Sequence, residues 1–349
     1  MLLDGLQLPL TTPFYPDGRL NLLKLEHNVA RYSKTPAAGM VALSGFGEPS
    51  MLSDDETRQV LASVAGAATA EKVLIAGISR DSVAGTLSLA ESAAKAGYDA
   101  VLVKRPSASS GVGSRGTKDL VTYFQAVADR SALPVVLYSS RIEESLPVSA
   151  AVELAGHPQI IGLVEGEWER FAALESGTAG VKRQVAVTAV FAAVTGRMRA
   201  REEEAAGGLI AADSLTGGGA AVVVAPGRPV AKTRTKLVGF QILSGRTAGV
   251  LEGLRAGAVG AMPGFAAVAP QACYEVLAAW KDGDEGLAEE KQVRLDRVVR
   301  RVEEELGVAG IKFGCDLNGY FGGMPRLPLL PLTGEERAET EALMQGLRN

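Results

Sequence analysis

Short and almost continuously apolar runs recur along this chain and alternate with amphipathic segments. Strands without polar alternation are typical of a parallel sheet that is covered on both faces. The runs lie at residues 6–14, 40–46, 73–79, 100–105, 134–139, 160–165, 237–244 and 258–262. Because each run is followed by a helical pattern after a short link, the α/β fold predicted is a (β/α)8 TIM barrel rather than a doubly wound sheet.

Local signals predict where several of the intervening helices begin. Ser53 and Glu56 have the spacing of a capping box, in which each side chain accepts a hydrogen bond from the other residue's backbone amide. Asn21 is a suitable N-cap for a helix that runs to about Tyr32. Further helices are expected near residues 81–96, 118–129, 148–155, 167–175 and 247–256.

Two stretches interrupt the repeating pattern. Residues 178–236, between the sixth and seventh strands, predict an inserted flap resembling a β-hairpin, with a helix at about 197–206. This flap either caps the barrel mouth or forms a new interface. After the eighth strand, residues 267–349 predict a helical C-terminal region, so that the barrel itself occupies residues 1–266.

Composition limits the classes of partner. Lys and Arg number 36 against 40 Asp and Glu, and this balance argues against nucleic acid as a partner. The 2 cysteines exclude a disulfide scaffold and favour a reducing, cytoplasmic setting. The start of the chain lacks a signal-peptide pattern, and no apolar stretch reaches the roughly 18 residues of a membrane span. We therefore expect a soluble protein with no membrane partner and no cofactor.

Several strings, in order, resemble those of the dihydrodipicolinate synthase/N-acetylneuraminate lyase family. They are LTTPF at 10–14, SGFGE at 44–48 with LSDDE at 52–56, LY at 137–138, IIG at 160–162, LSG at 243–245 and GMPRLPLLPL at 323–332. The resemblance covers nearly the whole chain except about 178–236. It implies an aldolase or lyase in which a lysine on strand six forms a Schiff base with pyruvate while a strand-five tyrosine moves protons. It also implies a homo-oligomer, a dimer or a tetramer.

The chain departs from this family pattern at the residues that would perform the chemistry. The family lysine falls on Val164, which has no nucleophile, so that an imine cannot form there. The paired threonines after strand two fall on Gly45 and Phe46, and the carboxylate-binding arginine falls on Glu143. Of the usual catalytic set, Tyr138 is kept.

The candidate site lies where the strands end, because barrel chemistry takes place at that face. Tyr138 is the candidate catalytic residue. The candidate substrate-binding residues are Ser44, Gly45, Phe46, Gly47, Glu48, Ser107, Arg141, Val164, Glu165, Arg246 and Met262. Arg246 has two possible roles. It either clamps an anion together with Arg105 and Arg141, or it forms an ordinary salt bridge with one of the glutamates that are expected nearby, which are Glu143, Glu144, Glu165 and Glu167.

Other lysines and a metal ion are alternatives to the family lysine. Lys104 is a possible amine nucleophile, although a solvated strand end is the simpler interpretation. Lys182, Lys232 and Lys236 reach the mouth only if the inserted flap folds back over it, and Lys312 is expected at the surface. Carboxylates at the mouth are potential cation ligands, but the resembling family does not use its glutamates in this way, and we expect no metal.

Two functions remain open. The first is a dihydrodipicolinate synthase-like lyase-family barrel with a degenerate active site, which binds a small 2-oxo acid, sugar acid or related carboxylate without Schiff-base catalysis. The second is a catalytically silent relative that acts as a ligand-binding or oligomeric partner protein. Pyruvate Schiff-base chemistry is disfavoured by the departures at Val164, Gly45 and Phe46.

Overall fold

Eight parallel strands close into a barrel in the computed structural model, which describes residues 1–107, 114–139, 145–207 and 233–347. The barrel strands are β1 Gly5–Pro9, β2 Gly39–Ala42, β3 Val73–Gly77, β4 Ala100–Lys104, β5 Val135–Ser139, β6 Ile160–Glu165, β9 Gln241–Ser244 and β10 Gly260–Ala261. Two further strands, β7 Arg183–Thr188 and β8 Thr233–Val238, pair antiparallel in a separate sheet. The predicted fold class is confirmed. Within the described ranges, no helix has the length and apolar character needed to cross a membrane.

Helices follow the strands, and those outside the insertion surround the barrel. They are α1 Leu22–Tyr32, α2 Asp54–Ala67, α3 Val83–Ala96, α4 Ser114–Ala128, α5 Val148–Ala155, α6 Phe171–Thr178, α7 Gly196–Gly207, α8 Val250–Arg255, α9 Pro270–Lys281, α10 Glu285–Val299, α11 Gly307–Leu317 and α12 Gly334–Met344. The capping box is confirmed: the Glu56 amide donates to the Ser53 hydroxyl at 3.2 Å, and the Ser53 amide donates to Glu56 Oε2 at 3.0 Å. Asn21 also caps α1 as predicted, through the Lys24 amide at 3.2 Å.

The predicted seventh strand is in fact parts of two strands. Leu237 pairs with Gln184 in the antiparallel sheet, whereas the barrel strand β9 begins at Gln241. Gly239 and Phe240 separate the two strands and belong to neither. Because the run from Leu237 to Ser244 contains no proline and a single glycine, its composition gave little sign of this break.

Side chains of the barrel strands alternate between the interior and the layer beneath the helices. The interior set is apolar and closely packed, and it includes Val41, Ile75, Ala100, Leu102, Val136, Val164, Leu243 and Met262. The alternate residues of the same strands, such as Leu74, Val101 and Leu163, belong to the larger core shared with the helices. The barrel is thus a filled core, and ligands must bind above it at the mouth, the end where the strands terminate at their C-terminal residues.

The described part of the insertion covers the opposite end of the barrel. It follows α6, and a helix-to-strand link in this fold returns the chain to the N-terminal ends of the strands. Val185 and Val187 pack against Leu2 there. Lys182 precedes the two-stranded sheet and Lys236 lies in it, so both are remote from the mouth. In this arrangement neither lysine reaches the mouth. Lys232 lies outside the described residues.

A buried carboxylate fastens the insertion to the barrel. Asp99 Oδ1 accepts a hydrogen bond from the Gly196 amide at 2.7 Å, and Oδ2 accepts one from the Leu74 amide at 2.9 Å. Asp99 is 6% exposed, and burial raises its pKa. A single side chain therefore satisfies one backbone donor on α7 and another on β3, at the N-terminal end of the barrel.

We predict that Asp99→Ala lowers the free energy of unfolding by about 2 to 4 kcal/mol, because two buried amide donors lose their acceptors. Asp99→Asn keeps one acceptor oxygen and should lose about half as much. Urea denaturation of the two variants measures the difference. Equal stability of the alanine variant and the parent chain would contradict this role for Asp99.

Candidate active site

The register of the sheet places Val164, the residue on which the resemblance puts the family lysine, among apolar neighbours. Val164 lies beside Tyr138 on β5 and beside Leu243 on β9. All three side chains belong to the interior set, together with Met262. Val164 and Leu243 are completely buried and Met262 is 3% exposed. The floor of the mouth at this point is therefore hydrocarbon, without an amine on β6.

The segment after β2 brings Gly45 close to the phenol of Tyr138. Gly45 begins a short 3-10 turn, Gly45–Gly47, and a Cβ placed on Gly45 would lie 3.9 Å from Tyr138 Oη. The Ser44 side chain is 5% exposed, and its hydroxyl has no hydrogen-bond partner among the described residues. The Tyr138 phenol thus lies close to a loop that offers one unsatisfied hydroxyl at Ser44.

Phe46 lies against the loop after β10. A Cβ on Gly264 would come within 2.1 Å of Phe46 Cε2 and 2.6 Å of Glu303 Oε1, so this close packing requires glycine at position 264. Gly47 approaches the end of β1, where its carbonyl accepts a hydrogen bond from the Thr12 hydroxyl at 2.7 Å. Phe46 therefore fills space on the β10 side of the mouth.

Glu48 is held in a buried ion pair with Lys312 of α11, and both side chains are 1% exposed. Glu48 Oε2 also accepts a hydrogen bond from the Arg326 amide at 2.8 Å, and Lys312 donates to the Met324 carbonyl at 2.9 Å. The expectation that Lys312 lies at the surface is wrong. A lysine flanked by apolar residues in a helix gives no sign of a buried partner so distant in the sequence. Because Glu48 is paired with Lys312, its role at this position is to stabilise the fold.

Glu165 is also fully buried and forms an anchor between β5, β6 and the helix that follows. Its Oε1 accepts the Glu167 amide at 3.0 Å, and its Oε2 lies 3.3 Å from the Ser139 hydroxyl and 3.2 Å from an Arg170 guanidinium nitrogen. Burial raises the pKa of Glu165, while these donors and the positive charge of Arg170 lower it. Because Val164 faces the interior, the next residue along β6, Glu165, points to the other face of the sheet.

Arg246 forms salt bridges on two sides, which supports the second of its two predicted roles. It lies 3.4 Å from Glu167 Oε1 and 2.6 Å from Glu304 Oε1. The Glu304 carboxylate, from the C-terminal region, was not among its predicted partners. With two carboxylates at this distance, the charge of Arg246 is already compensated.

The remaining candidates lie at the rim or outside the described ranges. Ser107 is exposed, and its amide donates to Asp81 Oδ1 at 2.7 Å. Arg105 donates to the Ser145 carbonyl at 3.2 Å. Arg141 and Glu143 are outside the described residues. In the described part of the chain, no group of three or more His, Cys, Asp or Glu side chains is placed to hold a metal ion.

Glu303 reaches the mouth from the C-terminal region, and sequence reasoning missed it. It lies on a π-helical turn, Arg300–Glu305, a distortion that is often found at functional sites. Its Oε2 accepts hydrogen bonds from the Thr247 hydroxyl and from the Phe265 amide, the latter at 3.1 Å. Burial raises the pKa of Glu303 to about 7, and the neighbouring charge of Glu304 adds to the effect. In the sequence this residue is one of a run of charges, which resembles a solvated helix face.

Glu303 predicts a pH dependence of stability. The folded chain binds a proton on this carboxyl up to about pH 7, whereas the unfolded chain loses it near pH 4.5. The free energy of unfolding should therefore fall as the pH rises between these values. We expect Glu303→Gln, which cannot ionise, to remove about 1 to 2 kcal/mol of that fall, an amount reduced for partial solvent exposure.

Urea denaturation at pH 5 and pH 8 measures this dependence. Glu305→Gln is the matched control, since it changes a carboxylate on the same π-helical turn that pairs with Arg301 at 3.0 Å. The same loss of stability from pH 5 to pH 8 in Glu303→Gln and in the parent chain would contradict the assignment.

Comparison with known proteins identifies the family. The model of the dihydrodipicolinate synthetase family matches residues 2–177 and 228–347, and the unmatched stretch falls within the insertion. A 4-hydroxy-tetrahydrodipicolinate synthase of Acidiphilium cryptum is 28% identical over 346 residues, 98% of each chain. An L-threo-3-deoxy-hexylosonate aldolase of Hypocrea jecorina is 27% identical, over 99% of this chain and 95% of the other.

Solved structures share the fold over the full length. Dihydrodipicolinate synthase from Bacillus anthracis superposes with a TM-score of 0.76 at 20% identity and full coverage of both chains. A prophage protein of the dihydrodipicolinic acid synthase family from E. coli K12, solved in complex with pyruvate, gives a TM-score of 0.74 at 21% identity and 99% coverage of both. Together with the family match over both parts of the barrel, this common architecture agrees with the order of the motifs in the sequence. The chain belongs to the dihydrodipicolinate synthetase family.

Proposed function

We propose that this chain binds a small 2-oxo acid, sugar acid or related carboxylate at the mouth of its barrel, without forming a Schiff base on β6. The observation that carries this proposal is Val164, buried between Tyr138 and Leu243 at the position of the family lysine. Without an amine there, a 2-oxo acid has no partner for condensation at that strand. The active site is degenerate in the sense that β6 lacks the amine that the family reaction requires.

Features of the mouth support retained binding. Tyr138 keeps its place on the interior face of β5, and the Ser44 hydroxyl lacks an internal partner among the described residues. A buried hydroxyl without a partner is costly, and a bound carboxylate or water would satisfy it. The ligand class follows from relatives, since the E. coli K12 neighbour was solved with pyruvate.

A second candidate function is a catalytically silent protein that acts as an oligomeric partner. The observation that favours it is the charge balance on the β6 and β9 side of the mouth, where Arg246 is compensated by both Glu167 and Glu304. An arginine whose charge is already paired adds little attraction for an anion. The expectation of a cytoplasmic homo-oligomer remains a prediction.

The Schiff-base question has a direct test. We expect borohydride reduction in the presence of pyruvate to leave the intact mass of the chain unchanged, because β6 offers Val164 in place of an amine. A lysine-bearing member of the family is the positive control and should gain the mass of the reduced adduct. An adduct on this chain would overturn the proposal, and peptide mapping would then name the lysine.

Removing the Tyr138 hydroxyl tests the binding of the ligand itself. We expect Tyr138→Phe to weaken the binding of pyruvate, measured by calorimetry, by about 5- to 10-fold, since one neutral hydrogen bond contributes about 1 kcal/mol. Tyr123→Phe is a matched control, because that phenol lies outside the interior set and bonds to Thr86 and to the Arg80 carbonyl. If the parent chain binds neither pyruvate nor other 2-oxo acids or sugar acids, the silent alternative is supported instead.

A further inference from the structure

Lys104 continues the interior face of β4. Ala100 and Leu102 of this strand belong to the interior set, whereas Val101 and Val103 belong to the outer core. Side chains two residues apart in a strand share a face, so Lys104 follows Leu102 on the inside, one step nearer the mouth. Its backbone amide donates to the Ser79 hydroxyl at 2.8 Å, which fixes the end of the strand. The side chain is half-buried, and the prediction of a strand end directed into solvent does not describe it.

The register places this lysine next to the catalytic candidate. Lys104 lies opposite Tyr138, and Tyr138 lies opposite Val164 on the next strand. Neighbouring strands are about 4.8 Å apart, so that Lys104 and Val164 are separated by roughly 10 Å across the mouth. A lysine ammonium extends roughly 6 Å from its Cα on a flexible stem. The space above Tyr138 and Val164 is therefore within the length of the Lys104 side chain.

We propose that Lys104 is the specificity-determining residue of this mouth, binding the ligand's carboxylate as an ammonium ion next to the Tyr138 phenol. This inference rests on the proposed binding of a small carboxylate. Two observations support it: the interior position of Lys104 and the apolar floor of Val164, Leu243 and Met262. An ammonium above hydrocarbon attracts a carboxylate more strongly than one in water does.

The ionic role follows from the position of Lys104 at the end of its strand. Lys104 is half-buried, whereas Val164 and Leu243 are fully buried. The stem of a lysine packs along an apolar wall while its charged end stays near water. This position therefore suits a contact between the lysine side chain and the carboxylate of a ligand at the mouth.

The experiment measures pyruvate binding by calorimetry to the full chain and to Lys104→Met, Lys104→Arg and Lys95→Met. We expect Lys104→Met to weaken binding by about 10- to 100-fold and to abolish its dependence on salt, because the charge-assisted contact is lost. Lys104→Arg keeps the charge and should recover part of the affinity. Lys95→Met is the control: Lys95 lies in the last turn of α3, is 75% exposed and pairs with Glu91.

The outcomes separate this inference from the proposed function. Parent-like affinity and salt dependence in Lys104→Met would overturn the role of Lys104 and leave the binding function standing. A parent chain that binds no small carboxylate would overturn both. A borohydride-trapped pyruvate adduct mapped to Lys104 would replace the ionic contact by an imine, and would also overturn non-covalent binding. Urea denaturation of the variants shows whether a loss of binding reflects a loss of folding.

Discussion

The ion pair between Lys312 and Glu48 joins the C-terminal region to the loop that forms the mouth. Both charges are taken out of water, at a desolvation cost that is recovered only if each remaining polar atom finds a partner. Here the Arg326 amide and the Met324 carbonyl serve as those partners, and the lysine ammonium also lies 4.4 Å from the centre of the Phe14 ring. Removing one member of such a pair leaves an uncompensated buried charge, which typically costs 3 to 5 kcal/mol.

The position of the mouth loop depends on this pair. Glu48 adopts a left-handed backbone conformation with φ of 54°, which costs a non-glycine residue about 1 kcal/mol and persists because the side chain is fixed. The loop ends at Glu48, so its fixed position also sets where Ser44, Gly45 and Phe46 lie. Arg326 reinforces the arrangement through Glu56 of α2 and through the Gly18 carbonyl. The C-terminal region is thus part of the structural support of the mouth, and it also supplies Glu303 to its β10 side.

Much of the fold was predictable because local signals agree with the tertiary structure. Apolar runs marked the barrel strands, and the side chains at Asn21 and Ser53 cap the helices that they were expected to cap. The part of the site that depends on strand position was predictable, since Tyr138 and Val164 lie side by side on neighbouring strands. It was not predictable where charges meet from distant parts of the chain. Lys312 looks like any helical lysine, Glu303 like one charge among several, and Arg246 acquires Glu304 as a partner only in the folded chain.

The sequence by itself determined the barrel, the family and the absence of an amine at position 164, because these depend on residue type and on periodicity along the chain. Tertiary structure alone decided which end of the barrel the described insertion covers, which charges are buried, and that Lys104 faces the interior beside Tyr138. The physical reason is the distance over which each kind of interaction acts. Periodicity and capping act over a few residues, whereas ion pairing and desolvation depend on distances in space that the order of residues does not record.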